Sequence, residues 1–119
     1  MSERLKVKNL SFSTADAENI ETYFACSTLR LKFSDWQEQK IQVEFSDVIA
    51  FSWNQEEIDH KRMSDDCVYE VTDSNWLLKY REVEAAEIME NYKHYKFCFN
   101  ANGILDVIFD EMKIIKNDE

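Results

Sequence analysis

His60, His94, Cys26, Cys67 and Cys98 are the side chains of this 119-residue chain best suited by type to hold a metal or attack a carbonyl. A metal centre needs ligands clustered at fixed spacing. The two histidines lie 34 positions apart, and neither has a cysteine at a ligand spacing. His94 precedes an aromatic strand and reads as a hydrogen-bonded structural histidine. A thiol nucleophile needs a base beside it. Cys67 or Cys98 with His94 is the pairing that residue type allows, but cysteines inside strands are commonly buried and inert. No nucleophile elbow is present. Phosphate-cradling loops need several glycines, and Gly103 is the only glycine in the chain. Paired carboxylates such as Asp65-Asp66 carry little weight in so acidic a sequence. No cofactor, metal site or catalytic residue is expected, and the chain reads as a non-enzyme.

Trp36, Trp53 and Trp76 remain. All three stand at the boundaries of predicted elements. Clustered at one end of a sheet they would make a recognition patch, because Trp dominates interface hot spots. The more ordinary role for such residues is to seal the ends of a small core.

The elements that must carry these residues are mostly strands. Leu5 and Val7 alternate, then parity shifts to Leu10 and Phe12, which implies a bend near Asn9. Residues 14–19 read as a loop or a turn of helix, with a strand beginning near Ile20. Residues 26–34 alternate, with Leu29, Leu31 and Phe33 on one face and Arg30 and Lys32 on the other, the pattern of a half-exposed antiparallel strand. Ile41, Val43, Phe45, Ile49, Phe51 and Trp53 share parity. That favours one long, bulged strand, the alternative being two strands joined at Ser46-Asp47.

Residues 54–66 are a polar surface loop at the long end of what compact domains carry. Cys67, Tyr69 and Val71 mark the next strand. Asp73-Ser74 caps a helix, since a short oxygen-bearing side chain accepts from the first-turn N–H groups. Apolar spacing carries that helix from Trp76 to about Asn91, whole or in two pieces. Its solvated face holds Glu82, Glu84, Glu87 and Glu90. A hairpin closes the chain: Tyr95, Phe97 and Phe99, the turn pair Asn102-Gly103, then Leu105, Val107 and Phe109. Met112–Ile115 extends it or forms a short terminal element.

Composition bounds the rest. Apolar residues make up 45% of the chain, too many for a disordered segment. The length suits one domain, residues 1–119. Net charge is −10, with residues 1–34 at +1 and residues 35–119 at −11. Phosphates would be repelled, so nucleic acid is not an expected partner. A basic protein would be attracted. Three unspaced cysteines suit a reducing compartment. The charged N-terminus lacks the apolar core of a signal peptide, and no run reaches membrane-spanning length. A cytoplasmic protein without membrane contact is expected.

The order Phe33-x-Asp35-Trp36-Gln37-Glu38, Phe45-x-Asp47-Val48-x-Ala50-Phe51, Asp66-x-x-Tyr69-Glu70-Val71-x-x-Ser74-x-Trp76-Leu77, then His94-Tyr95-x-Phe97 with Asp106-Val107-Ile108, resembles a group of small acidic bacterial proteins of uncharacterised type. Some similar acidic single-domain proteins accompany polymorphic-toxin loci as immunity proteins. The resemblance implies neutralisation of a toxin and brings no catalytic residues with it.

The expected fold is α+β: a bent antiparallel sheet of five to six strands with one main helix, residues 75–91, packed on it. The expected function is binding of a basic partner through Glu56, Glu57, Asp59, Asp65 and Asp66, with Trp36 and Trp53 as aromatic anchors. A self-associating homodimer is the alternative, and a small-ligand-binding domain a further one.

Overall fold

The alternation between Leu29 and Phe33 and between Ile41 and Phe45 builds adjacent antiparallel strands, and their buried residues form one wall of the core. The computed structural model describes residues 4–54, 67–83, 91–99 and 103–117. In chain order these form β1 (Arg4–Val7), β2 (Glu18–Ala25), β3 (Thr28–Ser34), β4 (Lys40–Ser46), β5 (Ala50–Asn54), β6 (Val68–Thr72), α1 (Asn75–Val83), β7 (Lys93–Phe99), β8 (Gly103–Phe109) and β9 (Glu111–Asn117). Two antiparallel sheets result, ordered β1-β6-β7-β8-β5 and β2-β3-β4-β9.

The sheets share a bent ribbon. β4 pairs with β9 in one sheet, and their continuations β5 and β8 pair in the other. Between the pairs Ser46↔Glu111 and Ala50↔Ile108 one chain advances four residues and the other three. The extra residue is a bulge, which bends a strand and increases its twist. Asp47 absorbs it at φ 53°, a left-handed conformation that Asp tolerates better than most residues. Hydrogen bonds from Asp110 N to the Ser46 carbonyl (3.2 Å) and from Ile49 N to the Ile108 carbonyl (3.0 Å) hold the corner.

Aromatic rings fill the space between the sheets. Phe45 meets Phe97 at 5.5 Å and Phe109 at 5.0 Å between ring centres, and Phe33 meets Phe99 at 5.3 Å. Edge-to-face contacts of this kind add about 0.5–1.5 kcal/mol each beyond area burial. Apolar residues on both faces of β8 follow from its place: Leu105, Val107 and Phe109 face the other sheet, while Ile108 packs with Leu77 of the helix.

The α+β expectation is thereby overturned. Among the described residues nine strands form two antiparallel sheets, and the helix is one short element of nine residues. A second sheet, not the helix, covers the inner face of β6-β7-β8. The strands were undercounted because two of the reversals use unusual residues. Cys26 and Ser27, expected within a strand, form the two-residue turn of the β2–β3 hairpin at φ 52° and 63°. Positive φ at both positions is the type I′ geometry that matches strand twist, but Asn and Gly usually supply it. The continuous strand expected from Ile41 to Trp53 is likewise two strands, one in each sheet. The expected acidic loop at 54–66 beyond Asn54, the helix beyond Val83 and the Asn102 half of the turn lie outside the described residues. Among the described residues, no helix is long and apolar enough to cross a membrane.

Candidate functional site

On the face of β7 and β8 turned away from the second sheet, a polar chain crosses an apolar surface. The register pairs Lys96 with Asp106 and His94 with Ile108, so the two basic side chains flank one carboxylate. His94 Nε2 lies 2.6 Å and Lys96 Nζ 2.9 Å from the same Asp106 oxygen. Burial alone would push the Asp106 pKa up. The hydrogen bonds and charges of His94 and Lys96 outweigh it and hold the carboxyl below its usual 3.8. An ionised Asp106 can only accept, so Nε2 carries the proton.

The other imidazole nitrogen, Nδ1, lies 2.7 Å from Ser74 Oγ. Ser74 caps α1: its Oγ accepts from Leu77 N at 3.1 Å, and its carbonyl accepts from Leu78 N at 3.0 Å. With neutral His94, the chain of donors runs from Leu77 N–H to Ser74 Oγ, from Ser74 O–H to His94 Nδ1, and from Nε2–H to Asp106. Trp76 closes over the ring edge-on, 5.1 Å between centres.

By type, serine, histidine and aspartate linked in series can activate a hydroxyl. Here the serine oxygen already accepts the helix N–H, and Ser74 and His94 are 3% and 5% exposed. A cleft of about 380 Å³ passes between α1 and β6–β7. Only a sliver of each side chain reaches it. What the chain does physically is bolt the start of α1 to the sheet through satisfied buried polar groups.

The exposed side chains concentrate elsewhere. β2 ends its sheet, and every residue in it except Ile20 is exposed. Tyr23 is 69% and Phe24 48% exposed, and Phe24 touches the 40%-exposed Phe51 of β5 at 5.1 Å. Two sheet edges therefore meet at one aromatic corner. In a two-residue hairpin the pair flanking the turn, Ala25↔Thr28, exchanges both backbone hydrogen bonds and the next pair exchanges none. Thr22 and Phe24 consequently point their N–H and C=O groups away from β3, to the open edge. Glu18, Glu21 and the irregular register between them guard the first half of the strand; Thr22–Ala25 itself carries no charged side chain.

Of the sequence-level candidates, the two tryptophans fall among the described residues. Trp36 is 59% exposed in the β3–β4 turn, which Asp35 organises by accepting from Gln37 N and Gln39 N. Trp53 stacks inward on Phe99 at 5.8 Å. Glu56, Glu57, Asp59, Asp65 and Asp66 lie outside the described residues. The tie from His94 to Asp106 was missed, although one carboxylate in the otherwise apolar run Gly103–Phe109 signals a buried partner. The corner at Tyr23-Phe24 was missed too; adjacent aromatics on opposite faces of one strand were its signal.

No family model, curated protein or solved structure matches the chain.

Proposed function

We propose that this is a non-enzymatic binding protein that receives an extended segment of a partner along the open edge of β2. The observation that carries the reading is the unguarded stretch Thr22–Ala25, with outward backbone groups flanked by Tyr23 on one side and by Phe24 with Phe51 on the other. Strand addition draws affinity from main-chain hydrogen bonds and specificity from alternate side chains. The net charge of −10 favours a basic partner and would speed its encounter. The most specific form of the reading is an immunity protein that neutralises a basic toxin, as the sequence pattern resembles.

The test is Thr22→Pro. The substitution removes an N–H that faces solvent and leaves the pairing with β3 intact. A toxin encoded beside this protein should be captured by the parent chain, with affinity weakened by about 0.5 M salt. It should be captured at least about tenfold more weakly, roughly 1.4 kcal/mol, by the variant. Equal capture by both chains removes the edge from the reading. Salt-independent capture removes the electrostatic part.

Homodimerisation is the second reading, favoured by the same edge. Tyr23 opposite Tyr23 of an antiparallel second copy would set Thr22 against Phe24 and keep Glu21 from facing Glu21. A concentration-dependent dimer in sedimentation equilibrium, lost in Thr22→Pro, would select it over the toxin partner.

A further inference from the structure

Cys67 and Cys98 face each other across two strands. The register of β6 and β7 pairs Val68 with Phe97, which sets Cys67 opposite Cys98 one step on. The backbone agrees: Cys98 N donates to the Cys67 carbonyl at 3.0 Å. Both side chains project from the same face of the sheet, where Cys67 packs against the cluster of Tyr69, Cys98 and Ile104. Both are thiols. Cys98 is buried, Cys67 is half-buried, and Cys26 stands exposed in the β2–β3 turn, on the other sheet.

We propose that Cys67 and Cys98 form a reversible, oxidant-driven cross-strand disulfide. Directly opposed residues in a hydrogen-bonded antiparallel pair stand about 5.5 Å apart at Cα, within the roughly 4.4–6.8 Å that disulfides span. The bond is therefore within reach of the two strands as they are paired. Cβ atoms in such pairs lie near the upper end of about 4.5–5.5 Å, whereas a disulfide draws them to roughly 3.5–4.5 Å. Closing the bond pulls two hydrogen-bonded strands together. Strain of this kind raises the reduction potential and makes the disulfide reducible by cellular thiols, the behaviour of a switch and not of a permanent staple.

The exposures set the order of events. A peroxide reaches the half-buried Cys67 first and converts its thiolate to sulfenic acid, releasing one water once protonated. The Cys98 sulfur attacks the sulfenic sulfur, the S–O bond breaks, and the thiol proton leaves with the hydroxide as a second water. Two electrons pass from the two thiols to one peroxide. Two equivalents of a small thiol restore both cysteines by successive exchange and leave as their own disulfide. The site is independent of the partner reading, since β6 and β7 belong to the other sheet from the open edge strand β2.

The test is intact-mass and thiol counting on the Cys26→Ser chain, which removes the exposed competitor. Treatment with hydrogen peroxide under native conditions should lower the mass by about 2 Da and leave no alkylatable thiol after unfolding. Digestion should yield one peptide pair joined through Cys67 and Cys98, and dithiothreitol should restore two thiols. Cys67→Ser and Cys98→Ser, each added to that chain, should gain oxygen or dimerise and never lose about 2 Da. Two thiols persisting through peroxide, or a mass gain of about 16 or 32 Da in place of the loss, would overturn the proposal.

Discussion

Ser74 holds two structural tasks with one oxygen: it accepts the first-turn N–H of α1 and meets His94. Replacing it with alanine removes the cap and leaves a buried imidazole nitrogen short of a partner. The expected cost is about 1–2 kcal/mol, read as a lower urea midpoint with unchanged slope. Asp106 at the far end of the chain predicts a pH dependence. Its folded-state pKa lies below the ordinary value of 3.8. Its contribution is therefore fully present above about pH 4 and is lost as pH falls through the depressed folded value. Asp106→Asn should flatten the acid limb of a stability–pH curve below about pH 4, while lowering stability at pH 7. A variant whose acid limb matches the parent's would contradict this assignment. The serine cap and a hydrogen-bonded His94 were legible in the sequence, because capping is a local rule. Their connection was not, because Asp106 lies 32 positions beyond Ser74 and nothing local states which strand will face the helix.

Two turns set the elements. Cys26-Ser27 and Asp47 hold left-handed conformations without glycine, at a cost of about 1–2 kcal/mol per residue. Cys26→Asn with Ser27→Gly should raise stability by about 1 kcal/mol, since these are the residues a type I′ turn prefers. Asp47→Val should lower it by more than that, because a branched Cβ clashes at positive φ. Thermal unfolding of the two variants checks both signs. The strands themselves were legible wherever alternation was strict, as from Leu29 to Phe33 and from Tyr95 to Phe109. Their number was not. Reversals made from Cys, Ser and Asp leave no Gly or Pro to mark them, and the shared parity of Ile41–Trp53 concealed a corner. Edge strand β2 was blurred for a further reason: with both faces exposed it has no reason to alternate.

Across the whole molecule, the pairings that define the sheets are distant in sequence. β1 joins β6 through Leu5↔Val71, and β4 joins β9 through Val43↔Ile114. Long loops must close before such contacts form, so folding is expected on the slow side for this size, milliseconds to seconds. Stopped-flow tryptophan fluorescence would report it through Trp53, which stacks on the buried Phe99. A microsecond phase carrying the full amplitude would contradict the topology. The sequence-level fold class failed at this scale. The pattern of a strand facing a core is the same whether a helix or a second sheet lies across from it.

The ribbon of β4-β5 and β8-β9 has a consequence for cooperativity. Two separate sheets stacked face to face can part along the seam between them, each opening by itself. Here the same two chain segments run through both layers, which stay joined at the corner by the chain and by the hydrogen bonds from Asp110 to Ser46 and from Ile49 to Ile108. Opening of either layer must propagate around the corner at Asp47. Native-state hydrogen exchange should find the central amides of β3 and of β7 released by one and the same global event, with the outer strands β1 and β2 fraying below it.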